Sequence, residues 1–293
     1  MKRRFLLLLK LITSLSLIPF VLSGCTELLQ MLSKMDVKEP RVNISSVKMT
    51  GLSFDHVDLL FDISINNPNN VGIKLAGFDY DLLLNENSFL KGEQSDGLEI
   101  KASGQETVKL PITLNYMNMY NMFSTLKDRD SIQYQLKTGL LFNLPVLGDI
   151  RLPVSKSGHV PSLKMPSISL NQLKLDKLGF TGANLTLEIK LKNPNALSLF
   201  LKDMNYQLNV SGANWIQGKT SKEMTISEKG ESLISIPFSL NFLSMGQSVY
   251  NLLSGNQPLK YDLKGNASLG SSLKLLGDFQ LPFEQSGEVK IFK

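Results

Sequence analysis

The sequence predicts an all-β protein built as two tandem sandwiches, each carrying one short amphipathic helix. Three observations predict it: runs in which apolar and polar residues alternate, a second set of the same landmarks 126 residues further on, and an Asn-Pro-Asn trio in each set. Alternation with period two puts every second side chain on one face of a sheet. Val57, Leu59, Phe61, Ile63 and Ile65 form such a run, and Ala183, Leu185, Leu187, Ile189 and Leu191 form its counterpart. The pattern returns at Phe78, Tyr80, Leu82 and Leu84, at Val108, Leu110, Ile112 and Leu114, and at the matching positions of the second copy. Burying one such side chain contributes about 1.5–3 kcal/mol. Several apolar faces per copy realise that only by meeting one another, which calls for two packed sheets.

The duplication is read from ordered landmarks. Asn67-Pro68-Asn69 recurs as Asn193-Pro194-Asn195, and the same offset carries Pro40 to Pro166, Phe54 to Phe180, Tyr80 to Tyr206 and Gly104 to Gly230. Later landmarks drift slightly: Tyr134 matches Tyr261, and Leu147-Gly148-Asp149 matches Leu276-Gly277-Asp278. In each copy one segment has helical spacing, Met119, Met122, Phe123 and Leu126 in the first and Met245, Val249, Leu252 and Leu253 in the second. The methionines there read as core filler. The expected organisation is a leader over 1–24, a stalk over 25–37, a sandwich over 38–160, a linker over 161–165 and a second sandwich over 166–293. Pro161 and Pro166 favour extended backbone, so the linker is short and stiff.

The first residues explain the charge. Met1-Lys2-Arg3-Arg4 leads into an apolar stretch that ends in small residues, the pattern of a secretory signal. Lys10 and Pro19 interrupt it as a membrane span. Four of the 31 basic residues lie in this leader, and without them bases and acids nearly balance. A nucleic-acid surface needs a dense basic patch, and none is present in the sequence. Leu22-Ser23-Gly24-Cys25 resembles the lipobox of bacterial lipoproteins. The resemblance implies acylation (palmitate-type chains) at Cys25, the single cysteine, and a membrane anchor after cleavage of the leader. A single cysteine also excludes an intrachain disulfide. By the same resemblance to diderm lipoproteins, an aspartate after the cysteine would imply retention at the inner membrane, so Thr26 leans the expected location towards an outer membrane facing the periplasm of a diderm host. Leu28, Leu29, Met31, Leu32 and Met35 then follow at helical spacing. They suit either a short helix or a loosely ordered stalk.

Strands running into Asn-Pro-Asn carry a second resemblance. Phe61-Asp62-Ile63-Ser64-Ile65-Asn66-Asn67-Pro68-Asn69 and Leu187-Glu188-Ile189-Lys190-Leu191-Lys192-Asn193-Pro194-Asn195 resemble the start of the WHy (Water stress and Hypersensitive response) domain of group 2 late embryogenesis abundant proteins. That resemblance implies an immunoglobulin- or fibronectin-like sandwich with a helix, no enzymatic activity, no cofactor and an association with desiccation and other stress. The trio itself needs no chemistry. Proline fixes φ and removes a donor, while asparagine side chains bond nearby backbone, so the strand stops and turns.

Other candidates are weaker. His56 and Asp58 have alternate spacing, but the second copy has Gly182 where the first has His56. His159 corresponds to Glu288, and Asp149 and Asp278 suit turns after Leu-Gly. No GxSxG, HExxH, P-loop or dinucleotide fingerprint is present, and no metal or cofactor set is expected. The leading expectation is a non-catalytic, lipid-anchored envelope protein that binds or protects unfolded or envelope proteins under stress. The alternative is an envelope module that binds or transfers lipid or another hydrophobic ligand. An envelope hydrolase would need His56 or His159 gathered with carboxylates and a hydroxyl.

Overall fold

The structure is a computed structural model and describes residues 37–292 apart from 146 and 256. The leader, Cys25 and the 28–35 segment lie outside the described residues.

In the first repeat the elements are β1 (Arg41–Leu52), β2 (His56–Asn66), β3 (Ile73–Leu84), β4 (Asn87–Gln94), β5 (Leu98–Ile100) and β6 (Gln105–Asn115). Then come α1 (Tyr116–Met122), a 3₁₀ turn (Ser124–Asp128), β7 (Ser131–Leu144) and β8 (Gly148–Pro161). One sheet runs β1-β2-β6, the other β4-β3-β7-β8 with β5 beside β3. The alternating run of β2 puts Val57, Leu59, Phe61, Ile63 and Ile65 in the core. Phe61 meets Tyr134 of β7 edge-on, ring centroids 5.8 Å apart, which joins the inner faces of the two sheets. Leu82, Leu84 and Leu136 of the same unit are fully buried as well.

The second repeat comprises β9 (Ser167–Leu178), β10 (Gly182–Lys192), β11 (Leu199–Val210), β12 (Ala213–Thr220), β13 (Met224–Ile226) and β14 (Glu231–Asn241). It continues with α2 (Phe242–Met245), α3 (Gln247–Ser254), β15 (Leu259–Ser271), β16 (Phe279–Val289) and β17 (Ile291–Phe292). Its sheets run β14-β10-β9-β17 and β12-β11-β15-β16, with β13 beside β11. The fold is therefore all-β, in tandem sandwiches. By their contacts the residues group into two compact units, one of residues up to 48, 60–112 and 133–159, the other of 49–59, 113–132 and 160–293.

Helices start at the same repeat position. The side chain of Asn115 accepts from the amide of Asn118, and that of Asn241 accepts from the amide of Leu243, each capping otherwise unpaired donors. In the second repeat Gly246, at φ +88°, breaks the helical segment in two. Met119 is buried, but Met122 is 56% exposed and Met245 half-buried, so the methionines fill the core only in part. Spacing alone could not separate them, because a helix this short has less than one full apolar stripe to bury.

In four strands a tyrosine of the neighbouring strand lies over a glycine. A Cβ on Gly92 would come within 2.4 Å of the Tyr80 hydroxyl, and one on Gly158 equally close to that of Tyr134. Tyr206 covers Gly218, and Tyr261 covers Gly287, in the same way. Each ring restores the apolar cover that glycine cannot supply at the sheet margin.

Candidate functional site

The two Asn-Pro-Asn trios build the same buried network. β2 stops at Asn66, and Pro68 has no N–H to continue a ladder. The Asn67 side-chain amide donates to the carbonyls of Val71 (2.8 Å), Lys101 (2.9 Å) and, more weakly, Ile100 (3.4 Å). Its Oδ1 accepts from the backbone N–H of Asn69 at 3.0 Å and from the Asn69 side-chain amide at 2.9 Å. Asn69 in turn grips the backbone of Lys38, donating to its carbonyl at 2.8 Å and accepting from its N–H at 2.7 Å. In the second repeat Asn193 donates to Leu197, Ile226 and Ser227 and accepts from Asn195, which holds both backbone groups of Lys164. All four asparagines are buried. Their amides are thus engaged by backbone, and the network clamps three pieces of chain: the strand end, the turn before the next strand, and the segment that leads into the sandwich. Side chains that bond carbonyls 33 and 34 residues away are more than local turn formers.

The structure orders one Ser/His/Asp trio that sequence reasoning left unordered. In the β1–β2 hairpin, His56 Nδ1 lies 3.2 Å from Ser53 Oγ and Nε2 lies 3.5 Å from Asp58 Oδ2. Ser53 Oγ, however, accepts from the backbone N–H groups of Asp55 and His56, both at 3.1 Å. A serine oxygen that receives two nearby backbone donors is a turn-closing arrangement, and the hydroxyl also lies 3.4 Å from the His56 carbonyl. Asp58 accepts from Thr113 Oγ1 at 2.6 Å. The arrangement closes a hairpin. His159 is exposed on β8, Asp149 accepts from the Asn143 side chain, and Asp278 pairs with Lys202. Among the described residues no group of three His, Cys, Asp or Glu side chains could hold a metal ion, and no helix is long and apolar enough to cross a membrane.

The outer faces of the larger sheets differ between the repeats. In the first, Arg151 of β8 reaches across Gly139 of β7 to Asp79 of β3, with Nε–Oδ2 2.9 Å and Nη2–Oδ1 2.6 Å. The guanidinium holds the Asp79 carboxyl below the usual carboxylate range. In the second, the same three positions carry Asn205, Asn266 and Gln280. The amide of Asn266 donates to Asn205 Oδ1 at 2.9 Å, and its side chain donates to Gln280 Oε1 at 2.8 Å. An ion pair and an amide chain thus bridge equivalent strands. The first leaves a depression of about 420 Å³ and the second one of about 920 Å³.

Asp62 is, with Asp58, one of two acids in the alternating run of β2. Its Oδ2 accepts from Ser46 Oγ at 2.6 Å and from Lys48 Nζ at 3.1 Å, and these bonds, the hydroxyl's first, lower its pKa from the ordinary 3.8. A lowered folded value means that its stabilising contribution is full above 3.8 and is lost as pH falls through the folded value. Asp62→Asn is therefore expected to destabilise the chain near neutrality, with the gap to the parent shrinking in acid. Urea midpoints for both proteins at pH 6 and pH 3 check this, and a gap that stays constant would refute it.

The family described as "Late embryogenesis abundant protein" matches residues 62–158 and 188–287, one segment per repeat. A desiccation-related protein of Arabidopsis thaliana is 28% identical over 133 residues, 45% of this chain and 78% of that protein. The desiccation protectant protein Lea14 homolog of Glycine max is 25% identical over 134 residues, 46% of this chain and 86% of that protein. A solution structure of an Arabidopsis thaliana protein aligns with 23% identity and a TM-score of 0.36, covering 44% of this chain and 85% of that one.

Proposed function

The chain belongs to the late embryogenesis abundant family, with two copies of the family's domain, and from that premise we propose that it is a non-catalytic protective protein of the cell envelope, held to the membrane by lipid at Cys25. It acts under water stress by contacting partly unfolded envelope proteins through its sandwich surfaces. The observation that carries the reading is the match of both repeats to a family whose named relatives are desiccation proteins. The geometry supports it in two ways. The side chains that recur in both repeats, the paired asparagines, are engaged in holding backbone, and the space between the sheets of the first sandwich is filled by Phe61, Ile63, Ile65, Leu82 and Leu84. A packed interior favours work at the surface over enclosure of an acyl chain. The anchor rests on Leu22-Ser23-Gly24-Cys25.

The test is to dry and rehydrate lactate dehydrogenase with the purified mature chain. Several-fold more recovered activity than with an equal mass of serum albumin is expected, and equal recovery overturns the protective reading. Cys25→Ala is expected to move the protein from the membrane to the soluble fraction of its host.

A further inference from the structure

The two sandwiches finish the same sheet edge differently. In the second, β9 is covered: β17 pairs with it in parallel, Ile291 opposite Leu173 and Phe292 opposite Lys174. Further along that edge, the backbone N–H of Leu170 donates to Gln285 Oε1 of β16 at 2.8 Å. In the first sandwich the corresponding sheet ends at β1, which among the described residues pairs with β2 alone. The repeat offset places Val47 and Lys48 where the second has Leu173 and Lys174. Leu173 is fully buried, while Val47 is half-exposed. Lys156 stands where the second repeat has Gln285, and an ammonium group has no lone pair with which to receive a backbone N–H. Among the described residues, then, no strand pairs with the outer edge of β1, a strand of 12 residues. It contains no proline, and one of its two basic side chains, Lys48, is tied to Asp62.

We propose that the open edge of β1 is a strand-addition site for an extended apolar segment of an unfolded protein. This deepens the protective reading above and rests on it. The occupant is inferred from what fills the equivalent place in the second sandwich, an extended stretch reading Val289-Lys290-Ile291-Phe292 that supplies main-chain bonds through its last two residues. Strand addition draws affinity from main-chain hydrogen bonds and so tolerates many sequences, which suits a protein that must hold varied clients. The chain's own tail is already engaged on β9 and serves as the template for the ligand.

The probe is the synthetic peptide Gly-Glu-Val-Lys-Ile-Phe-Lys, a copy of residues 287–293, added to the mature chain while amide hydrogen exchange is followed. Saturating peptide is expected to slow exchange of several amides within 41–52 on the order of tenfold, as protected strand amides do. The same peptide with alternate backbone nitrogens methylated should do nothing. A chain ending at residue 289 frees the β9 edge and is expected to gain a second protected stretch within 167–178. Protection on β9 of the shortened chain without protection of 41–52 overturns the proposal, as does equal protection by the methylated peptide or no protection anywhere. Protection of 41–52 that appears without peptide and disappears on dilution assigns the edge to a second copy of the chain and overturns the client assignment. If saturating peptide leaves the drying protection intact, the edge is not the client surface although the protective reading stands. If the chain protects nothing while peptide still binds, it is the protective reading that fails.

Discussion

Asn193→Ala is expected to lower the stability of the second sandwich by about 3–5 kcal/mol, the sum of two or more buried groups left unpaired at roughly 1–3 kcal/mol each. The side chain donates to the carbonyls of Leu197 (2.6 Å) and Ser227 (3.1 Å), and its Oδ1 accepts the backbone N–H of Asn195 (3.1 Å) and that residue's side-chain amide (3.2 Å). Alanine replaces none of these bonds, and the site is 1% exposed, so water enters only if the turn opens. Asn193→Asp is expected to do at least as much damage, because a carboxylate would face the same carbonyl oxygens without a donor. The exposed Asn184→Ala, which disturbs a single bond to Ser239, serves as control and should change stability by less than about 0.5 kcal/mol. Urea unfolding of the three variants checks the order. A loss below about 1 kcal/mol for Asn193→Ala would mean that the network stabilises far less than its bonds imply.

Phe61→Ala is expected to cost the first sandwich about 3–5 kcal/mol, the usual range for removing a fully buried ring. Phe61 has no exposed surface and stands edge-on to Tyr134 at an interplanar angle of 89°, a pairing that adds about 0.5–1.5 kcal/mol beyond area. At the equivalent position Leu187→Ala removes a smaller side chain, also fully buried, and should cost about 2–5 kcal/mol. Phe180→Ala, at a hairpin tip where the ring is 97% exposed, should be nearly neutral. Thermal and urea melts of the three test the ranking. A Phe61→Ala protein as stable as its parent would show that the two sheets do not rely on that contact.

The central strands were legible because one of their faces is uniformly apolar and buried. β2 and β10 show this most plainly, with every second residue at or below 3% exposure. β4 and β12 gave no such signal, since residues on both of their faces reach solvent and tyrosines of the neighbouring strands lie above Gly92 and Gly218. The two residues of β17 are too few for any periodicity, and only the sheet they join reveals them. Of the candidate site, the trios could be found in the sequence and their local turn deduced. That Asn69 and Asn195 hold the backbone of Lys38 and Lys164, 31 residues earlier, depends on where the fold brings those residues. Yet Lys38 and Lys164 stand at the repeat offset too, so the partnership was written into the periodicity before the fold made it visible.

The grip of Asn69 on Lys38 also decides how the first sandwich responds to traction. A pull on the chain ahead of Lys38 reaches that pair of hydrogen bonds before it reaches β1. The load is thereby passed to the end of β2 and the turn at 101–104, instead of peeling an outer strand away one rung at a time. Under the lipid anchoring proposed for Cys25, such a pull would meet this buried knot first, a mechanical fuse whose rating two side chains set.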